Sequence, residues 1–337
     1  MRKRLPVLNF RNAGVVLSFT LIAGLLAPQI PAQARPGGKL VPSRGVLIGA
    51  YVDTDNQWTT ESAANLEVKN FETTIGRRLR INHHYYGWTQ QIPTGLEKTD
   101  ISNGRIPLIS WQGTNLNQIN SGQYDTMIKA RARALKALGR KVFLRWGWEM
   151  NGDWYAWDGS HNNSSGTTNG PAKYRAAWKR IWNLFRGQGV TNVVWVWSPN
   201  HASVPAASWN HWSKYYPGDT YVDWVGIDGY NFGNTRSWSK WTTFRSIFTP
   251  VYRTYASRKP IMIGETSTTE AGGDKAVWIA QARSVMKQYF PSVAALMWFH
   301  VPKEEDWRVN TSSRSLKTYR AMVADSYYTV GIPSTSR

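Results

Sequence analysis

The sequence predicts an α/β fold, a single (β/α)8 TIM barrel, and three observations carry that expectation. Eight short apolar runs alternate with amphipathic stretches over ~250 residues, the usual span of such a barrel. No Gly-rich phosphate loop follows the first run, which continues into AYVDTDNQW; a doubly wound open sheet usually carries one there. Glutamates close the fourth and seventh runs, and a barrel gathers its polar chemistry at the C-terminal ends of its strands.

The runs are VLIGAYV (46–52), RLRINHHYYGW (78–88), RIPLISW (105–111), KVFLRWGWE (141–149), NVVWVWSPN (192–200), DWVGIDGYN (223–231), PIMIGETS (260–267) and VAALMWFHV (293–301). Helical spacing separates them. Tyr124, Met127, Ile128, Leu135 and Leu138 fall on one face. Further amphipathic stretches lie at 171–189, 239–256 and 276–290, and a last one at 315–326 follows the eighth run. The barrel domain is placed at 45–330, with no internal repeat and no second domain. Residues 35–44, RPGGKLVPSR, read as a flexible leader.

Residues 1–34 read as a secretory signal. Arg2, Lys3, Arg4 and Arg11 precede the apolar run AGVVLSFTLIAGLL, and Ala32-Gln33-Ala34 forms a small-x-small cleavage pattern. The run is shorter than the ~20 residues a spanning helix needs. The expectation is a secreted, extracellular monomer with no membrane association after cleavage. With no cysteine in 337 residues, disulfides are excluded, and a core of this size does not need them.

The formal charge is +20. A basic balance of that size can mark a nucleic-acid or anionic-surface partner. Here the cations are dispersed along helix-like stretches, as at Lys129, Arg131, Arg133, Lys136, Arg140 and Lys141, which marks solvated faces and argues against nucleic acid. The 19 Trp and 16 Tyr are more informative, because flat rings with a polar handle suit stacking on sugar faces. Many of them must be core. No cofactor and no metal is expected: the six His are scattered, no HExxH occurs, and GxSxG and P-loop patterns are absent.

Side chains alternate along a strand. In the fourth run Val142, Leu144 and Trp146 share one face, suited to the outer helices. Phe143, Arg145, Gly147 and Glu149 share the other, which points into the barrel. An Arg and a Glu at a barrel mouth are costly unless paired or functional. Glu265 likewise ends an apolar run. Either Glu alone is commonly a structural acid. Two of them at the ends of strands four and seven form the pair that retaining glycoside hydrolysis uses as acid/base and nucleophile.

RWGWEMNGDWYAW resembles the acid/base motif of glycoside hydrolase family 26, the family of many bacterial β-mannanases, and PIMIGET matches its nucleophile strand. The likeness runs from residue 46 to about 325, and E-M-N-G-x-W-Y is its most specific part. The resemblance implies Glu149 as acid/base and Glu265 as nucleophile. It implies that Tyr230, from DWVGIDGYN, sits beside the nucleophile. It also implies that Trp298, from MWFH, floors the subsite where cleavage occurs. Mannanases of the family carry His immediately before the acid/base, where this chain has Trp148, so Trp148 is expected to change which sugar hydroxyl is read. The Trp neighbours of Glu149 should raise its pKa, and a Tyr230 hydroxyl should favour the Glu265 anion.

Other residues are assigned by position. Trp111 and His84 end strands three and two and are expected at the mouth, against sugar. Arg145 orients Glu149 or fills the barrel as a buried pair. Asn151 and Trp154, on the loop after strand four, are placed in flanking subsites, whereas Trp157 reads as loop packing and Asp228 as structural. The function expected is an endo-β-glycanase acting on polysaccharide, with β-1,4-mannan first and β-1,3-xylan or mixed-linkage β-glucan as alternatives. A catalytically silent carbohydrate- or cell-wall-binding barrel is the alternative of a different class.

Overall fold

The computed structural model describes residues 35–54 and 60–331. The expected signal, 1–34, lies outside the described residues. Eight strands close into one barrel in sequence order: β1 (Leu47–Val52), β2 (Ile81–Tyr86), β3 (Ile106–Trp111), β4 (Val142–Trp146), β5 (Val193–Trp197), β6 (Trp224–Asn231), β7 (Ile261–Thr268) and β8 (Val293–His300). Neighbours pair in parallel throughout, and β1 pairs β8 to close the ring. Each strand falls within one of the eight apolar runs or within one residue of it.

The outer layer holds α1 (Glu61–Ile75), α2 (Gly95–Ser102), α3 (Leu116–Asn120), α4 (Asp125–Lys136), α5 (Gly159–Asn162), α6 (Gly170–Gly187), α7 (Phe244–Tyr255), α8 (Lys275–Gln288) and α9 (Ser313–Ala324). Local chemistry sets their ends. Thr60 caps α1 by accepting from the Ala63 amide, and Gly76 ends it at φ 68°, a left-handed conformation that glycine adopts without a Cβ penalty. Thr94 and Glu97 form a reciprocal capping box on α2. In α6 the residues Tyr174, Ala177, Trp178, Ile181 and Phe185 recur at helical spacing and are buried. They meet the outward face of β4: Trp146 stacks on Tyr174 at 5.3 Å and contacts Trp178 at 5.9 Å. Burying one such side chain stabilises by roughly 1.5–3 kcal/mol.

The barrel interior changes character along its axis. Its lower part is an apolar plug of Leu47, Ile81, Leu108, Phe143, Val194, Trp224, Met262 and Met297. Two residues further along β2, β3 and β4 stand His83, Ser110 and Arg145, and four residues beyond Trp224 on β6 stands Asp228, all buried. Apolar filling below and polar groups above fix where the chemistry lies.

Residues 35–44 depart from the leader expected there. Leu40 is fully buried against the apolar plug. Arg35 donates to the Pro291 and Val293 carbonyls at 3.0 and 2.6 Å, and Trp224 Nε1 donates to Lys39 O at 2.8 Å. Leu40, with Arg35 and Lys39 tied to the strands on either side, packs this segment onto the apolar plug. Composition reports the turn but not what the turn packs on.

Candidate active site

β4 ends at Trp146, three residues before Glu149. The chain then turns sharply: Gly147 has φ 54° and Glu149 has φ 53°. A non-glycine residue there is strained and needs surrounding structure to hold it. The Glu149 amide supplies part of that hold by donating to Ser198 O at 2.8 Å, and Gly152 N closes the turn on Glu149 O at 2.9 Å. Glu149 thus reaches the mouth through a turn rather than through strand alternation.

Glu265 arrives by a second irregularity. On β7 the register with β6 slips, so that Ile227 faces Ile263 but Asp228 faces Glu265. Gly264 is the extra residue of this bulge. A Cβ on Gly264 would stand 2.5 Å from Asp228 Oδ1 and 3.0 Å from Ser198 Oγ, so the close approach requires glycine. The bulge turns Glu265 inward, on the same side as Met262.

Three donated hydrogen bonds hold this carboxylate, and four more hold its support. Tyr85 OH donates to Glu265 Oε1 at 2.5 Å, and Tyr230 OH donates to Oε2 at 2.6 Å. Arg145 Nη2 makes a short charge-assisted bond to Oε1. Arg145 Nη1 grips both oxygens of Asp228 at 2.8 Å, and its Nε donates to Ser110 Oγ at 2.7 Å. Ser198 Oγ donates to Asp228 Oδ1 at 3.0 Å. Burial works against the Arg145 charge, but Asp228 and then Glu265 outweigh it and push its pKa up. Burial, then the Glu265 charge, holds the Tyr85 and Tyr230 phenols well above their ordinary range, so both remain donors.

Glu149 stands in the opposite condition. Among the described residues its one side-chain donor is Trp154 Nε1, at 3.0 Å from Oε2. Burial, then the negative charge of Glu265, raises its pKa to about 8. Near neutral pH it is largely a protonated acid beside a carboxylate held by three donors. Unequal environments of this kind divide two carboxyl groups into a proton donor and a nucleophile.

The residues named from sequence separate into two groups. Glu149, Glu265, Tyr230, Arg145 and Trp154 come together at the mouth. Trp154 is 42% exposed, and its indole lies on Gly152, where a Cβ would stand 2.6 Å from the ring. Arg145 orients Glu265 rather than Glu149. Trp148 also lies inside the site. Its ring packs edge-on against Tyr85 at 5.3 Å and under the Arg145 guanidinium at 5.1 Å.

Four residues lie elsewhere. Trp298 is 1% exposed and packs on Tyr319 of α9 and Trp278 of α8, because strand alternation puts it with Leu296 and His300 on the outer face. Trp111 stacks on Trp88 at 4.6 Å under the helical layer. His84 is buried against Asp100 of α2 at 2.6 Å, and that bond raises its pKa against the opposing effect of burial. Asn151 is a loop staple: it donates to Asn200 O at 2.9 Å and accepts from Asn200 N at 2.9 Å. Trp157, stacked on Tyr155 at 4.3 Å, is loop packing as expected.

Sequence reasoning missed Tyr85 and the aromatic group on the β8 side. Phe299, Trp307, Tyr230 and Phe232 pack together, and Trp307 lies 5.0 Å from Tyr230. Phe299 is the inward neighbour of Trp298. Counting alternation upward from the apolar Ala295 and Met297 would have found it.

A family model described as glycosyl hydrolase family 26 matches residues 55–321. Endoglucanase H of Acetivibrio thermocellus is 37% identical over 329 residues, which cover 96% of this chain and 34% of that protein. A beta-1,3-xylanase of an Alcaligenes species is 26% identical over 254 residues, covering 73% of this chain and 48% of that protein. A mannan endo-1,4-beta-mannosidase of Bacillus subtilis is 30% identical over 143 residues, covering 41% of this chain and 36% of that protein. The chain therefore spans less than half the length of each of these relatives. The solved catalytic domain of an endo-beta-1,4-mannanase from Bacillus sp. JAMB-750 superposes with a TM-score of 0.63 at 16% identity, over 85% of this chain and 88% of that one. That likeness is one of fold.

Proposed function

Since this chain belongs to glycosyl hydrolase family 26 and is a glycoside hydrolase, we propose that it is a retaining endo-β-glycanase with Glu149 as acid/base and Glu265 as nucleophile. The observation that carries this reading is the contrast between the two carboxyl groups: one donor and a pKa of about 8 at Glu149, three donors at Glu265. In the first step the Glu149 carboxyl gives its proton to the glycosidic oxygen as the bond to the anomeric carbon breaks. A Glu265 oxygen forms the new bond to that carbon. Among the described residues Oε1 is occupied by Tyr85 and Arg145 and Oε2 by Tyr230 alone, so Oε2 is the attacking atom. In the second step the Glu149 carboxylate removes a proton from water, which attacks the same carbon and frees Glu265.

The substrate we favour is a β-linked glucan, including the mixed-linkage kind. Similarity to the endoglucanase runs through nearly the whole chain, whereas similarity to the mannanase runs through less than half. Trp148 adds a second reason. It stands where the family's mannanases carry His, and an indole offers one N–H and no acceptor. A changed donor set beside the acid/base changes which hydroxyl is read. Residues 1–34 support a secreted enzyme, and we propose that it acts as a monomer outside the cell. The test is hydrolysis of mixed-linkage glucan, β-1,4-mannan and β-1,3-xylan, with proton NMR of the first-formed product. Glucan should give the highest kcat/KM and the β-anomer should appear first. Preference for mannan overturns the substrate, and first appearance of the α-anomer overturns the mechanism.

A further inference from the structure

Among the described residues two tryptophans are exposed: Trp154, on Glu149, and Trp238, which is 72% exposed. The first has a function in the site. The second sits on the β6–α7 loop, on the side of the mouth that carries Tyr230. Exposed apolar side chains scattered singly need no explanation, but Trp238 is not isolated. It packs edge-on against Phe232 at 5.2 Å. Phe232 packs against Trp307 at 4.9 Å and Tyr230 at 6.3 Å. Tyr230 holds the Glu265 carboxylate. A continuous row of rings thus leads from the nucleophile to an exposed indole.

The loop presents that indole rigidly. Ser239 Oγ accepts from Arg236 N at 3.1 Å, and Ser239 N donates to Arg236 O at 3.1 Å, a tight turn with Trp238 beside it. Arg236 ties the turn to the β8–α9 loop: it pairs with Glu305 Oε1 at 2.6 Å and donates to Glu304 O at 2.8 Å. The braced β8–α9 loop is itself fixed. Lys275 Nζ donates to the Asp306 and Arg308 carbonyls at 3.2 and 2.6 Å. The Trp307 carbonyl between them accepts from Ser267 Oγ at 2.7 Å and Trp298 Nε1 at 2.9 Å. A rigid flat ring left in water costs little ordering entropy when it binds, and it matches the apolar face of a pyranose whose hydroxyls are equatorial.

We propose that Trp238 is a stacking platform for a sugar residue distal to the bond being cleaved, on the nucleophile's side of the mouth. The occupant is the same β-glucan chain that lies over Glu265, so the inference rests on the proposed function. It makes Trp238 a determinant of substrate length: short substrates stop before it, and long ones reach it.

The experiment measures kcat/KM of wild type, Trp238→Ala and Trp238→Tyr on an aryl β-disaccharide, on gluco-oligosaccharides of increasing length and on mixed-linkage glucan. For Trp238→Ala the loss should deepen with chain length and reach about 5- to 100-fold on the longest substrates, the scale of one lost stacking ring. Trp238→Tyr should recover most of it, and the thermal midpoint should not move. A loss equal at every length, or no loss on the polymer, overturns the platform. A wild type that hydrolyses none of these substrates overturns the proposed function instead, so the two failures are told apart.

Discussion

Glu265 and Glu149 are the same residue type at the same barrel mouth, yet they are held in opposite ways. Glu265 is seated by a bulge and clamped by Tyr85, Tyr230 and Arg145, with Asp228 as the counter-charge behind the arginine. Glu149 is seated by a strained turn, donated to by Trp154, and kept protonated by burial and by its neighbour's charge. Fixed donors and a buried cation stabilise an anion; desolvation beside an anion stabilises the neutral acid. In the proposed mechanism this asymmetry sets the chemistry, and each side of it can be broken separately.

Removing either carboxylate should have the largest effect. Glu149→Gln and Glu265→Gln should each lose at least ~10²–10⁴-fold in turnover on polysaccharide. The two should then diverge on an aryl glycoside with a very good leaving group, which needs no proton. Glu149→Gln should keep much of its first step there and Glu265→Gln should not, as a burst measurement would show. Equal losses on both substrates would mean that the division of roles is wrong.

Breaking the support should come next. Arg145→Met leaves Asp228 buried and uncompensated, and a broken buried pair costs about 3–5 kcal/mol. Denaturant titration should show that loss, and any folded fraction should have little activity. Trp298→Ala should cost a comparable ~3–5 kcal/mol in stability, as for other buried aromatic truncations, and should disturb kinetics only through the Trp307 loop it supports. A variant with full stability and a sharply lowered kcat would return Trp298 to the sugar site.

Smaller changes sharpen the contrast. Tyr85→Phe removes one charge-assisted donor, worth about 1.5–3 kcal/mol, and should lower kcat/KM by about 10- to 100-fold while leaving Tyr230 in place. On the other side, the proposed mechanism needs Glu149 protonated, so kcat/KM should fall as pH rises through about 8. Trp154→Phe removes the bond that favours the Glu149 anion, so the alkaline limb should move to higher pH. A limb that stays put would show that the bond is not made in solution.

The same two irregularities explain what was legible in the sequence. Strand order follows from the apolar runs and the inward position of Arg145 from period-two alternation, and the structure has both; the glutamates stand near the ends of their runs as read, but a turn and a bulge, not alternation, bring them inward. Alternation fails as a guide once the strand ends. Trp148 shares parity with the outward Trp146, but the left-handed Gly147 swings it in against Tyr85. In HHYY nothing local says which pair faces inward; the polar partners Ser110 and Arg145 for His83, and Asp100 for His84, decide it from other strands and helices. Trp111 ends its strand and Trp298 stands two residues before the end of its own, but both sit on the outward rows. Gly264 carries the bulge, and only its neighbours Asp228 and Ser198 reveal why a side chain is excluded there.

The most direct test is the ionisation of Glu149 itself, followed by carboxyl 13C NMR in the wild type and in Glu265→Gln. If the neighbouring charge helps to keep Glu149 protonated, it should titrate at about 8 in the wild type and clearly lower in the variant. Titration of Glu149 in the ordinary carboxylate range in the wild type, or at the same pH in both proteins, would contradict the division of roles between the two glutamates.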